Sequence, residues 1–365
     1  MHVRGGGVTM RILRWTCLLA AIFGVAAHAQ APALGTDATQ SFKIVKVADN
    51  VYAGIGLNGV FGNGAFVVNR DNVLVVDTQE RPSWARDFIA DIRSVTPKPV
   101  HYVVNTHYHR DHSQGNQAYV EAFGPDVEII AQETVPEDMR TKDADLLQQS
   151  LTTDLPASIA QLEKTLADGK DAQGAPLTDD ARVRIQHQLD LQKGYLAEIP
   201  QIHLTLPTLT YERTLILHTP DRDICLYHFG LGHTRGDTVV FLPKEKVVIT
   251  GDLLTYNFPN MKDSYPVELV SVLEAIDKLD WDHAIPGHGE VEGDHQQIEL
   301  LLGYMRDMVA ATRAAIAKGE TLDQAKQSID LSRYSSIPGF AAGNPLAIER
   351  AYNEITGKTP MPAAQ

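Results

Sequence analysis

The stretch His107-Tyr108-His109-Arg110-Asp111-His112 has the form H-x-H-x-D-H, four metal-capable side chains in six residues, directly after the apolar, β-branched run 100–104. That run reads as a buried strand. Ligands on the turn after a strand can converge on one point, and a rigid sheet holds that turn still. Three neutral imidazoles and a carboxylate suit zinc, which takes nitrogen and oxygen donors at about 2.0–2.2 Å. Three further pieces place His or Asp beside Gly at the end of a strand-like run: Gly232-His233-Thr234-Arg235-Gly236-Asp237, Gly251-Asp252 and Pro286-Gly287-His288-Gly289. Chance explains one such piece and poorly explains four. Asp77 ends the apolar run 73–76, where it reads as a helix cap or as a group that orients the metal loop from behind.

Hydrophobic spacing outlines the elements that must hold these pieces. Strand-like runs cover 42–47, 64–69 and 73–76, with Asn69-Arg70-Asp71-Asn72 as a hairpin turn between the last two. Trp84, Phe88 and Ile92 give 82–95 a helical period, which Thr96-Pro97 stops. A short strand is expected at 127–131. Strands resume at 203–206, 214–218, 224–229, 238–242 and 247–250, and the pair Ala284-Ile285 marks one more.

Between these, 134–200 changes character. Ile159, Leu162 and Leu166 recur on a helical face, and Gly169 stands where a left-handed cap belongs. Thr178, followed by Asp179 and Asp180, starts a second helix with Ile185, Leu189 and Leu196 on one face. The pattern predicts a helical hairpin inserted into an α/β domain. It leaves the sheet between the first ligand loop and His233, so a lid or pocket wall is expected, with a homodimer contact as the lesser expectation. Beyond 293, Asp294 can cap a helix that presents Ile298, Leu301, Met305, Met308 and Ile316 on one face and ends at Gly319. A helical extension over 294–365, packed on the same domain, follows.

The composition is that of a soluble globular chain, 44% hydrophobic, with a formal net charge of −14 and no basic tract. That charge excludes nucleic acid and anionic membrane as natural partners and leaves a small-molecule substrate. Residues 1–29 read as an export signal: Arg11 and Arg14 precede the apolar segment 17–27, and Ala27-His28-Ala29 supplies a small-x-small cleavage site. Met10 is the expected start of translation and Gln30 of the mature chain, which then runs through a flexible lead-in at 30–41 into a periplasmic or secreted protein. No membrane attachment is expected after cleavage. Only Cys225 remains after the leader, so no internal disulfide is available.

H-x-H-x-D-H, G-H-T-x-G-D, G-D and P-G-H-G, in that order, resemble the metallo-β-lactamase superfamily over about 42–293. The resemblance implies a four-layer αββα sandwich with a metal pair at one edge. Matched residue by residue, it implies that His107, His109 and His233 hold one metal and that Asp111, His112 and His288 hold the second. Asp252 matches the bridging carboxylate and Asp77 the family's buried acid. The implied cofactors are two Zn²⁺, with iron as the alternative. The implied activity is hydrolysis by a hydroxide held between two zincs. Asp111 orients the nucleophile, and Tyr256 is a candidate donor to the developing oxyanion.

Secreted β-lactamases of this superfamily usually carry Cys or Ser where this chain has Asp252. The resemblance therefore implies an exported dizinc hydrolase of an ester, lactone or amide-like bond, with β-lactam hydrolysis as the alternative. A mononuclear iron persulfide dioxygenase is a further alternative.

Overall fold

The computed structural model describes residues 40–358. The expected leader, its cleavage site and nearly all of the lead-in lie outside the described residues. Among the described residues, twelve strands form two sheets. The first, in spatial order, is β1 (Phe42–Ala48), β2 (Val51–Gly56), β3 (Gly64–Val68), β4 (Val73–Val76), β5 (Val100–Val104), β6 (Glu128–Gln132) and β7 (Leu209–Tyr211). The second runs from β8 (Thr214–His218) through β9 (Asp223–Tyr227), β10 (Val239–Leu242) and β11 (Val247–Thr255) to β12 (His283–His288).

Period-two alternation makes these two sheets face each other. On β3 and β4, Phe66, Val68, Val73 and Val75 turn outward, onto α1 (Pro82–Val95) and, after the ligand-bearing α2 (Arg110–Ser113), α3 (Asn116–Phe123). Val67, Leu74 and Val76 turn inward and meet Ile224, Leu226, Val240 and Ile249 of the second sheet. After α4–α7, described below, come α8 (Pro266–Asp277), α9 (Gln296–Ala317), α10 (Leu322–Ser328) and α11 (Phe340–Ile355). Ile298, Leu301, Met305 and Met308 of α9 pack with Leu273, Ile348 and the outer face of the second sheet at Val239, Val248 and Ala284. The result is the expected αββα order, with the tail helices in the fourth layer.

Two strand expectations need correction. No strand forms at 203–206. Its backbone is held by side chains instead: His203 N donates to Gln117 Oε1 (2.6 Å), and Asn116 Nδ2 donates to Thr205 O (2.9 Å). The ladder to β6 starts only after Pro207, at Leu209. Conversely, β2 escapes a reading based on propensity because Gly54 and Gly56 dilute it. Gly54 is required there: a Cβ would lie 2.3 Å from the Phe88 ring that α1 lays on the sheet.

The insertion is less regular than a simple hairpin. Its first arm runs through α4 (Val135–Asp138), a π-helical turn (Met139–Asp143), α5 (Ala144–Gln149), a second π turn (Ser150–Asp154) and α6 (Leu155–Asp168). Gly169 closes this arm in the left-handed conformation. Thr178 Oγ1 accepts from Ala181 N to open α7 (Asp179–Glu198). Helix α7 lies along the first domain layer. Leu191 packs with the cluster around Trp84 and Phe88, Glu198 accepts from Ser83 N and Oγ (both 2.7 Å), and His187 Nε2 lies 3.2 Å from Asn58 O. The hairpin thus braces the β2–β3 loop, which borders the metal edge.

Candidate metal centre

Strands β4, β5, β6 and β7 are mutually parallel, as are β11 and β12, so their carboxyl ends reach one edge of the sandwich. Crevices at such ends are where ligands gather in α/β folds. Asp77 follows β4 and His107 follows β5 within three residues. His109 is the N-cap of α2, and Asp111 and His112 lie on it. Asp252 does not follow its strand; it lies inside β11, where the register to β12 shifts beside Gly251. A bulge of this kind re-aims a side chain. Gly287 makes room for it, since a Cβ there would fall 2.0 Å from Asp252 Oδ1.

The geometry gathers all seven expected ligands into two groups, His107, His109, His233 and Asp252, and Asp111, His112 and His288, whose ligand atoms lie within 4.8 Å of one another in each group. Asp252 touches both groups. Its Oδ1 is 3.3 Å from His112 Nε2 and 3.2 Å from His288 Nε2, while Oδ2 is 3.5 Å from His233 Nε2. Asp111 Oδ2 is 3.3 Å from Nε2 of both His112 and His288. These spacings match the edge, about 3.3 Å, of a tetrahedron with metal–ligand bonds of about 2.0 Å. His107 Nε2, His112 Nε2 and Asp252 Oδ1 are buried without hydrogen-bond partners. Buried orphan acceptors are costly, and a cation between them removes the cost. The residues therefore fit a metal pair.

Hydrogen bonds behind the ligands set which nitrogen faces inward. Asp77 takes Thr106 N (2.7 Å), Thr106 Oγ1 (2.8 Å) and His112 Nδ1 (2.8 Å). It is no helix cap; α1 begins after Arg81. With Nδ1–H given to Asp77, His112 offers the Nε2 lone pair. Thr106 Oγ1 lies 3.0 Å from His107 Nδ1 and fixes that ring in the same sense. His109 is reversed. Its Nε2 lies 3.2 Å from Asp263 Oδ2, which also accepts from Tyr108 OH (2.9 Å), and its Nδ1 faces His233 Nε2 at 3.0 Å. Asp263 sits in the loop before α8, and no motif marks it.

Residues 57–211 match the model of the Metallo-beta-lactamase superfamily. The likeness to the metallo-beta-lactamase superfamily is shown over that stretch. The matched stretch holds the H-x-H-x-D-H loop; His233, Asp252 and His288 lie beyond it and join the centre through the fold. Among curated proteins, a linear primary-alkylsulfatase from Pseudomonas sp. (strain ATCC 19151) is 25% identical over 275 residues, 72% of this chain and 48% of its own length. The chain thus spans about half the length of that relative. The stereoselective inverting sec-alkylsulfatase Pisa1 from Pseudomonas sp. superposes with a TM-score of 0.61 at 14% identity, over 88% of this chain and 52% of that one. The metallo-beta-lactamase FIM-1 from Pseudomonas aeruginosa, in its mono-zinc form, gives 0.51 at 16%, over 74% and 98%.

Two arginines stand near candidate ligands, Arg110 in the H-x-H-x-D-H loop and Arg235 in the G-H-T-x-G-D loop, and both turn to the insertion. Arg110 Nη1 donates to Ser150 Oγ (2.7 Å), with Asp143 Oδ1 3.8 Å from its Nε. Arg235 makes paired bonds to Asp138 (both 2.9 Å) and reaches Glu137 (2.7 Å). Within the G-H-T-x-G-D motif, Asp237 caps Thr234 through N and Oγ1, and burial pushes its carboxyl up to about 7 despite those bonds. Tyr256 stands at the rim, half exposed, beside Gly289. Opposite, Phe61 of the β2–β3 loop lies 4.9 Å from the His288 ring. Asn63 of the same loop donates to Pro286 O (3.0 Å) and Gly289 O (2.8 Å), tying the loop to the His288 turn.

Proposed function

We propose that this chain is an exported, dinuclear zinc hydrolase of ester-type bonds, with sulfuric esters of alkyl alcohols as the favoured substrates and lactones and carboxylic esters next. The observation that carries it is Asp252, whose two carboxylate oxygens face the two ligand groups separately. The alkylsulfatase relative favours the sulfuric ester within that class.

Zinc bound at such a centre lowers the pKa of a water toward about 7 and draws charge from the bond to be broken. The chain's residues do the rest. Asp111 is held well below the usual carboxylate range: burial raises it, and the His112 and His288 contacts more than offset this. It is therefore a poor base and a good acceptor, suited to holding and orienting a water. Two ligand carboxylates against two divalent cations leave a positive centre, which attracts an anionic ester without an arginine clamp. Asp77, Thr106 and Asp263 keep three imidazoles aimed. Tyr256 donates to the oxygen on which charge builds. For a sulfuric ester, one water is consumed and an alcohol and hydrogen sulfate leave.

The test is metal analysis followed by kcat/KM for an alkyl sulfate, several lactones, a thioester, a phosphodiester and three β-lactams. About two zincs per chain and higher efficiency on a sulfuric ester or lactone than on any β-lactam are expected. Efficiency on a β-lactam of about 10⁵ M⁻¹s⁻¹ or more, with esters far behind, would make the chain a β-lactamase instead. One iron per chain would favour the dioxygenase alternative. N-terminal mass analysis of periplasmic material, expected to begin at Gln30, tests export.

A further inference from the structure

Three of the five candidate imidazoles are aimed by a side chain behind them: Thr106 behind His107, Asp263 behind His109 and Asp77 behind His112. His288 has no such partner. Among the described residues, no side chain or carbonyl hydrogen-bonds to its Nδ1, while its Nε2 faces Asp111 Oδ2 at 3.3 Å and Asp252 Oδ1 at 3.2 Å. Glycine flanks it on both sides. Gly289 takes a φ of +98°, and Gly287 has no room for a Cβ beside Asp252. Glycines give a turn a freedom that must be removed before a ring at its apex can be aimed. What fixes the direction of His288 must therefore hold the turn itself.

Asn63, buried just before β3 in the other sheet, is placed to do this. Its main-chain N donates to Gly287 O (2.8 Å), and its Nδ2 donates to Pro286 O (3.0 Å) and Gly289 O (2.8 Å). Three of the four carbonyls in Pro286-Gly287-His288-Gly289 are thus held by one residue, and Tyr256 N donates to the fourth, His288 O, at 3.2 Å. Asn63 Oδ1 accepts from Gly56 N at 3.3 Å, which fixes the end of the amide that faces the turn. An amide nitrogen carries two N–H donors and serves two carbonyls at once. A carboxylate of the same shape carries none and would meet both carbonyls with negative charge.

We propose that Asn63 is a positioning residue for the second metal site. It acts through the backbone of the His288 turn and aims Nε2 at the point that Asp111 and His112 also face. The proposal rests on the dinuclear reading of the centre. Asn63 supplies no ligand atom of its own. Its effect falls on the affinity of the second site and spares the first, whose ligands His107, His109 and His233 stand on other loops.

The experiment is stepwise Co²⁺ titration of the native protein, Asn63→Ala, Asn63→Asp, His288→Ala and the double variant Asn63→Ala with His288→Ala, each site's loading being read from its spectrum. Partners behind a ligand typically cost about 10–100-fold in metal affinity. Asn63→Ala should weaken the second Co²⁺ by about tenfold and Asn63→Asp by more, with the first Co²⁺ held to within about twofold. In the His288→Ala background, Asn63→Ala should cost less than about twofold, because residues that act through one another are not additive. Native affinity for the second Co²⁺ in both variants would overturn the proposal. So would equal weakening of both ions, the same cost with and without His288, or failure of both variants to fold, each of which makes Asn63 a support of the fold at large. One Co²⁺ per native chain would overturn the dinuclear reading, and the proposal with it.

Discussion

The group formed by His107, His109 and His233 and the group formed by Asp111, His112 and His288 lie side by side around one carboxylate, yet their electrostatics are opposite. In the first, burial and neighbouring imidazoles push His107 well below its usual range, and burial brings His233 down to about 4. In the second, burial is more than offset by carboxylates: Asp111, Asp252 and Asp77 raise His112, and Asp252 and Asp111 raise His288 to about 9. Burial thus prevails at His107 and His233, and carboxylates prevail at His112 and His288. Their supports differ in the same way. Asp77, fully buried, stands behind the second half, whereas Asp263, about a third exposed, stands behind the first. The comparison teaches that similar ligand types become different sites through what is packed behind them.

Removing the shared carboxylate should have the largest effect. Partners behind a ligand typically cost about 10–100-fold in metal affinity or activity; Asp252→Ala removes the carboxylate that faces both halves and should exceed about a hundredfold. Metal content after dialysis, with kcat/KM, measures this. Two metals held at native affinity would break the comparison at its centre.

Asp77→Asn should come next, at about 10–100-fold, and should fall on the second half, because one amide oxygen cannot replace two carboxylate oxygens and His112 loses the charged acceptor for its Nδ1–H. Asp263→Asn should cost less, about tenfold, and fall on the first half through His109, since water competes at its exposed carboxylate. Stepwise titration with Co²⁺, whose spectrum reports each site's loading, separates the two. If both variants weaken the same site, the halves are not independently supported.

A smaller effect is expected from replacing 155–198 by a short Gly/Ser linker. Residues 135–154 remain and keep their grip on Arg110 and Arg235, but the β2–β3 loop loses Leu191 and His187 of α7. KM should shift several-fold, on the order of 1 kcal/mol, with zinc content unchanged. Unaltered kinetics would show that the hairpin braces nothing the reaction uses.

Asp143→Asn should affect neutral-pH activity least and show itself in stability. Burial raises the Asp143 carboxyl to about 7 from 3.8, with Arg110 opposing. Between those values the folded chain binds more protons than the unfolded one, so stability is full below about pH 4 and falls as pH rises towards 7. The Asn variant should lose that slope, a difference on the order of 1 kcal/mol or more across the window. Urea midpoints at pH 5 and 7.5 measure it, and an unchanged slope would remove Asp143 from the account.

The residues that the fold gathers into two metal-capable groups were legible because each sits in a short run with its own local signature. Helix α1 was legible residue for residue from Trp84, Phe88 and Ile92, and the caps at Gly169 and Thr178 from their types alone. What escaped was non-local. Strand β2 hides behind Gly54 and Gly56; the lack of a side chain at Gly54 is explained by Phe88, 34 residues away in sequence, and that at Gly56 by the carbonyls of Val60 and Gly62. The run 203–206 has strand-like residues, but its backbone bonds go to Asn116 and Gln117.

Taken alone, the sequence determined the donor types, their order along the chain and the alternation that makes two sheets face each other, because all three are properties of neighbours. Only the tertiary structure decided where Arg110 and Arg235 point. Arg110 adjoins two candidate ligands and Arg235 stands two residues after a third, and each turns away to polar groups of the insertion. The same holds for Asp263. A carboxylate becomes the partner of His109 only when a loop 154 residues later folds back beside it. Side-chain direction is set by the charges and cavities that long-range packing supplies, and no window of sequence contains both ends of such a contact.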